Sequence, residues 1–142
     1  MTTRYLLDTN ILSEPLSARP AAQVILRLEE HQSRLVTASS VWHELVFGCR
    51  RLEESAKRRR IERYLNNVIA PTIEILPYDK PAATWHAAER ARLTLLGKTP
   101  SFVDGQIAAI AIINEAILVT RNVDDFRHFD ALMIENWFAP HV

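Results

Sequence analysis

Four short, mainly apolar runs constrain the architecture most: Tyr5-Leu6-Leu7, Arg34 to Ala38 (RLVTA), Ile73 to Leu76 (IEIL) and Ile117 to Thr120 (ILVT). Each is followed by polar or turn-forming residues, and segments with helical spacing lie between them. Runs of this length read as buried strands, and strands that alternate with helices pack as a mostly parallel sheet with helices on its faces. The expectation is therefore an α/β fold with a central sheet of four to five strands. Leu132 to Ile134 is the candidate for a short last strand.

The segments between the runs carry helix signals. Ile11 to Leu16 reads as a short helix stopped by Pro15 and Pro20. Pro20 suits the first turn of a helix reaching about His31, with Val24, Ile25 and Leu28 on one face. Ser39 or Ser40 can cap the helix that carries Val41, Glu44, Leu45 and Gly48. Glu53 to Ala70 is a charged helix with Ile61, Tyr64, Leu65 and Val68 as its stripe, ended by Pro71. Asp79 can cap a helix with Pro81 in its first turn, a stripe of Ala82, Trp85, Ala88 and Leu95, and Gly97 at its C-terminus. Phe102 to Glu115 is apolar almost all round beyond Gln106, the mark of a central, buried helix.

Composition excludes several classes. The 142 residues suit one domain and need no staples to bury a core. Seventeen basic residues balance seventeen acidic ones, which rules out a polybasic coat and an acidic disordered tail. Cys49 is the only cysteine, so there is no internal disulfide and no cysteine-based zinc site, as fits a reducing compartment. The N-terminal apolar stretch is too short for a signal peptide, and Ile107 to Ile113 is too short for a membrane span. A soluble cytoplasmic protein is expected.

Four acids stand apart by position. Asp8 ends the first run, Glu44 lies about one turn into the helix after the second, Asp104 sits in the first turn of the apolar helix, and Asp125 follows the fourth run. In a parallel sheet all four project toward the edge where the strands end, the place where open α/β folds gather chemistry. Converging carboxylates raise one another's pKa, so a site that keeps them ionised needs a cation. Oxygen donors select Mg²⁺ or Mn²⁺, and such an ion can activate water toward a phosphodiester.

Each acid also has an ordinary structural role. Asp8 can turn the chain, Glu44 can ride a solvated face, Ser101-x-x-Asp104 fits a capping box, and Asn122 with Asp125 fits loop chemistry. The basic run Lys57-Arg58-Arg59-Arg60 reads first as a helix face paired with Glu53, Glu54 and Glu62, and second as a patch for phosphates. Trp42, Leu45, Val46 and Phe47 read first as core.

At these residues the chain resembles PIN-domain nucleases. Leu6-Leu7-Asp8-Thr9-Asn10 is similar to their opening motif, Glu44-Leu45-Val46-Phe47-Gly48 to the second, Asp104-Gly105-Gln106-Ile107-Ala108-Ala109 to the third, and Thr120-Arg121-Asn122-Val123-Asp124-Asp125-Phe126 to the fourth. The order spans nearly the whole chain. Ser13-Glu14-Pro15 and Asn136-Trp137 are similar to the FitB-like branch of the VapC toxins.

The resemblance implies a single PIN domain over residues 1–142, with a PIN-like three-layer α/β/α fold. It implies a metal-dependent endoribonuclease, the toxin of a type II toxin–antitoxin module, hydrolysing RNA to a 5′-phosphate and a 3′-hydroxyl. Asp8, Glu44, Asp104 and Asp125 would hold Mg²⁺ or Mn²⁺, with Asp124 as the alternative fourth acid. Thr120 and Asn122 would support the site, and Arg121 is the leading candidate for RNA contact. Implied partners are an RNA substrate such as tRNA, a cognate VapB-type antitoxin, a second copy of the chain in a homodimer, and operator DNA through the antitoxin alone. Two other classes compete: a non-catalytic PIN-like RNA- or protein-binding module, and a phosphatase of small phosphoesters. In the latter an aspartyl-nucleophile motif would need an acid where Asn10 stands.

Overall fold

The computed structural model describes residues 2–139; the outermost ends of the expected domain, residues 1 and 140–142, lie outside the described residues. Five strands form one sheet: β1 (Arg4–Leu7), β2 (Leu35–Ala38), β3 (Glu74–Leu76), β4 (Ala116–Val119) and β5 (Ile134–Glu135). Their spatial order is β3-β2-β1-β4-β5, and every pairing is parallel. The chain moves outward from β1 to β3, then returns to place β4 on the other side of β1. The sheet thus has its topological switch between β1 and β4, where Leu7 pairs with Val119.

Among the described residues, eight α-helices flank the sheet in the expected three-layer arrangement: α1 (Thr9–Leu12), α2 (Ala22–Glu30), α3 (Ser39–Arg50), α4 (Ala56–Tyr64), α5 (Ala70–Thr72), α6 (Lys80–Leu95), α7 (Phe102–Ile113) and α8 (Val123–Phe126). The apolar helix is as central as its composition implies. Ile107, Ala108, Ala109, Ile110 and Ala111 are all buried, as are Leu6, Leu7 and Leu118 of the inner strands. Asp79 caps α6 through Ala82 N–H at 3.0 Å. Gly97 ends that helix with φ +72°. Lys98 N–H returns to Leu93 C=O and Gly97 N–H to Thr94 C=O, a turn that glycine adopts without steric penalty.

Several local expectations change. The helix expected over Ile11 to Leu16 divides, because Asp8 caps α1 early and Pro15 enters a separate 3₁₀ turn, Glu14–Leu16. Pro20 precedes α2 rather than opening it. Neither Ser39 nor Ser40 caps α3; its N-cap is Ala38, with no side-chain bond. Pro71 does not end the charged helix. It lies in the first turn of α5, where its missing N–H costs little. Between α4 and α5 runs a π-helical turn, Leu65–Ile69. The wider turn rotates Val68 outward to 48% exposure and leaves Ile69 in the core. On α6 the expected stripe holds in part: Ala82 is buried and Trp85 packs against the core, but Ala88 is exposed and Leu95 is 88% exposed, and His86, Glu89 and Leu93 complete the buried face.

His86 and Glu89 are tolerated inside because each has polar partners. His86 Nδ1 hydrogen-bonds Tyr78 Oη at 2.8 Å. Glu89 accepts two hydrogen bonds from Arg92, at 2.7 and 2.9 Å, and one from Asp130 N–H at 2.9 Å. Among the described residues no helix is long and apolar enough to cross a membrane.

Candidate active site

The switch crevice is framed by the ends of β1 and β4. Asp8 follows β1 directly and is buried, 6% exposed. Its Oδ1 accepts from Thr9 N–H at 2.8 Å, an N-cap bond that aims one oxygen at the start of α1. Its Oδ2 accepts from the Thr120 hydroxyl at 2.8 Å, directly after β4. Thr120 is wholly buried, and its oxygen accepts in turn from Asn122 N–H at 3.0 Å and from Asn10 Nδ2 at 3.5 Å. One donor and two acceptor sites exhaust a hydroxyl.

Asn10 joins the two strand ends. Its amide donates to Asp8 Oδ2 at 3.4 Å, and its Oδ1 accepts from Arg121 N–H at 3.0 Å. Thr9 reaches the other way, donating its hydroxyl to Glu44 Oε2 at 2.8 Å. Helix α3 therefore meets the site through Glu44, which is exposed on its outer side. Ser40, one turn earlier, donates to Gln106 Oε1 at 3.2 Å and ties α3 to α7. Asp104 lies in the first turn of α7, whose cap is Ser101 Oγ accepting from Asp104 N–H at 3.1 Å.

The electrostatics bring the four acids together. Burial raises the Asp8 carboxyl above its ordinary range; hydrogen bonds from Thr120 and Thr9 oppose this, and Glu44 adds to it. Burial likewise raises Asp104, against Ser101, with further upward pressure from Asp125, Asp8 and Glu44 in that order. Asp104 therefore senses all three other acids. None of the four forms an ion pair among the described residues. Asp124 turns outward and pairs with Arg127 at 3.2 Å, so Asp125 is the acid of that pair that Asp104 senses.

The acids do not close on a point. Among the described residues, no three His, Cys, Asp or Glu side chains are gathered tightly enough to hold an ion. Separation relieves their repulsion, with Asp8 tied to Thr120 and Glu44 to Thr9. The donor set still fits a hard divalent cation. Every candidate ligand is a carboxylate oxygen, and positive charge at this place would reverse the penalty now carried by Asp8 and Asp104.

The expected supporting residues divide. Thr120 bonds a carboxylate as foreseen; Asn122 contributes through its backbone N–H, donated to Thr120. Thr9 and Asn10 carry bonds that residue-by-residue reading did not assign, although both stand inside the opening motif. The basic run also divides. Arg58 is held by Glu54 and Glu62, whereas Arg51, Lys57 and Arg60 line a groove of about 450 Å³ that includes Thr9 and Glu44. Phe47 is not core; it is 57% exposed, with Arg51 over its ring.

Known proteins resemble the chain in sequence and fold. The PIN domain description matches residues 5–132. Toxin FitB of Neisseria gonorrhoeae is 32% identical over 93% of this chain and 97% of its own. The tRNA(fMet)-specific endonuclease VapC of Shigella flexneri is 30% identical over 94% of this chain and 98% of its own. Among solved structures, FitAB bound to a DNA fragment superimposes with a TM-score of 0.89 at 28% identity, covering 97% of this chain and 98% of that one. VapBC2 from Rickettsia felis, bound to a fragment of its promoter, gives 0.82 at 26%, covering 95% and 99%. With its four acids placed around the switch between β1 and β4, and with similarity running along nearly its whole length, the chain belongs to the PIN-domain family.

Proposed function

We propose that residues 1–142 form one PIN domain acting as a metal-dependent endoribonuclease, the toxin of a VapBC-type module, which hydrolyses RNA phosphodiester bonds in the cytoplasm and so inhibits translation and growth. One observation carries the reading: at the carboxyl edge of a parallel sheet, Asp8 and Asp104 are held above their ordinary range by burial and by neighbouring acids, and none of the four acids has a cationic partner among the described residues. A purely structural site has no use for a buried Asp8 and a half-buried Asp104 with no cation beside them.

Asp8, Glu44, Asp104 and Asp125 are the residues that would hold Mg²⁺ or Mn²⁺. The chemistry such an ion supplies when bound is activation of water and compensation of charge on the phosphoryl oxygens. The chain does the rest. Thr120 and Thr9 N–H fix both oxygens of Asp8, so that carboxylate is oriented before substrate arrives. The Thr9 hydroxyl holds Glu44 at the groove side. Arg121 stands exposed beside the acids, where it can meet a phosphate.

The partners follow from the relatives. FitAB and VapBC2 are solved bound to DNA, and VapBC-5 of Mycobacterium tuberculosis is named a member of the VapBC family of toxin-antitoxin systems, which supports a VapB-type antitoxin here and operator DNA through it. A relative named for tRNA(fMet) makes tRNA a leading substrate class. Exposed Leu95, Leu96 and Phe102 around the α6–α7 turn support a homodimer.

The test uses purified protein free of antitoxin, incubated with tRNAs and other structured RNAs in Mg²⁺, Mn²⁺ or EDTA. Cleavage is expected only with metal and is expected to vanish in Asp8→Asn and Asp104→Asn. Intact RNA under every metal condition overturns the reading in favour of a non-catalytic binding module.

A further inference from the structure

Beside the acids, on the β5 side, lies a polar recess of about 300 Å³ lined by Arg121, Asn122, Val123, Asp124, Asp125 and Asn136. Arg121 is laid over the ring of Phe138, with its guanidinium carbon 4.4 Å from the centroid. The other two such contacts among the described residues are looser, at 5.8 and 5.5 Å. Arg121 makes no ion pair and no side-chain hydrogen bond among the described residues. Its donors are uncommitted although its guanidinium is seated on a ring.

Both halves of the pair are tethered. Arg121 N–H donates to Asn10 Oδ1, which also fixes Asp8 through the Asn10 amide. Phe138 packs against the core, its carbonyl accepts from Gln23 Nε2 at 3.0 Å, and its N–H donates to Asn136 Oδ1 at 2.9 Å. The acidic motif and the aromatic support are thus each anchored by hydrogen bonds, and the Arg121–Phe138 contact joins them.

A guanidinium lying on an aromatic ring leaves its other face for a second planar group, and unpaired RNA bases stack on such planes. The rest of the recess also favours a base. Carboxylates of Asp124 and Asp125 repel a free anion there but accept hydrogen bonds from an exocyclic amino group, while the amides of Asn122 and Asn136 can donate or accept at a base edge.

We propose that Arg121 and Phe138, with Asn122 and Asn136, form a subsite that takes one unpaired nucleobase of the RNA next to the cleaved phosphate and sets the base preference of the enzyme. The proposal deepens the nuclease reading and rests on it for the nature of the ligand. Binding and cleavage separate the two.

Short single-stranded RNAs, each with one abasic position, are titrated against Asp104→Asn protein with Mg²⁺ present, so that no chemistry is needed. One abasic position is expected to weaken binding about tenfold. That sensitivity is expected to disappear when Phe138→Leu or Arg121→Lys is added. Arg121→Lys keeps the charge at an exposed position, so the comparison survives even if Phe138→Leu unfolds. A flat abasic profile, an unchanged profile in Arg121→Lys, or no RNA binding overturns the subsite. Absence of cleavage by the unsubstituted protein, with the binding profile intact, counts against the nuclease reading alone.

Discussion

The Thr120 hydroxyl donates to Asp8 Oδ2 across 2.8 Å, joining the ends of two adjacent parallel strands whose residues lie 112 positions apart in the chain. The bond steadies the most deeply buried acid of the site and opposes the rise that burial imposes on its carboxyl. Thr120→Val keeps the shape and removes the hydroxyl, leaving Asp8 Oδ2 and Asn122 N–H each short of a partner. Thermal or denaturant unfolding is expected to show a loss of about 1–2 kcal/mol. Metal titration is expected to show weaker binding. Unchanged stability would mean that the bond contributes nothing in solution.

Glu89 is the second buried carboxylate, and its setting is opposite. Hydrogen bonds from Arg92, foremost, hold its carboxyl below the usual range against the effect of burial, with Asp130 N–H adding to them. Because the folded state favours the ionised form, this contribution is present above the ordinary value of 4.5 and fades as pH falls through the lower folded value. Glu89→Gln is expected to cost about 1–2 kcal/mol at neutral pH. The gap in melting temperature from the parent should narrow on acidification. A gap that stays constant from neutral pH to well below that value contradicts the assignment.

Gly105 follows Asp104, and a Cβ built on it would stand 2.0 Å from His86 Nε2. The imidazole occupies the space a side chain would need. Gly105→Ala should therefore destabilise by about 1–3 kcal/mol through overpacking. Combining it with His86→Ala opens the space, so the double variant is expected to lose less than the sum of the singles. Strict additivity would show that the two residues do not press on one another.

His86 also supplies a pH signature. Burial, then Arg90, lowers its pKa from 6.5, and its Nε2 has no partner among the described residues. Charging it costs more in the folded than in the unfolded chain. Stability is expected to be full above 6.5 and to fall as pH drops through the lower folded value. His86→Phe, followed by thermal unfolding across that range, should flatten this part of the profile; an identical profile removes His86 as the cause.

The strands, the central helix and the positions of the four motif acids at the strand ends were legible because each is written locally, in a short apolar run, an all-round apolar helix or a polar residue just beyond a strand. What escaped is written in distant contacts. Ala88 and Leu95 looked like a stripe, but α6 buries His86 and Glu89 instead, since Tyr78, Arg92 and Asp130 supply their hydrogen bonds. The π turn at Leu65–Ile69 carries no residue-level signal, and an apolar count over it reads as ordinary helix. Of the adjacent Asp124 and Asp125, Asp124 pairs with Arg127, three residues on, a contact that appears only once α8 is formed. Thr9 and Asn10 stood in plain view, yet their bonds to Glu44, Asp8 and Arg121 exist only once β1, β4 and α3 are assembled.

The role proposed for Asp8, Glu44, Asp104 and Asp125 is to hold the metal on which RNA hydrolysis depends. The most direct measurement is cleavage of end-labelled tRNA by antitoxin-free protein as Mg²⁺ or Mn²⁺ is added back after chelation, beside Asp104→Asn. No cleavage is expected in EDTA, cleavage is expected to saturate with added metal, and the variant is expected to lose at least about 100-fold, on the scale of removing one charge-stabilising group from an active site. Cleavage that persists in EDTA, or that Asp104→Asn leaves intact, contradicts it.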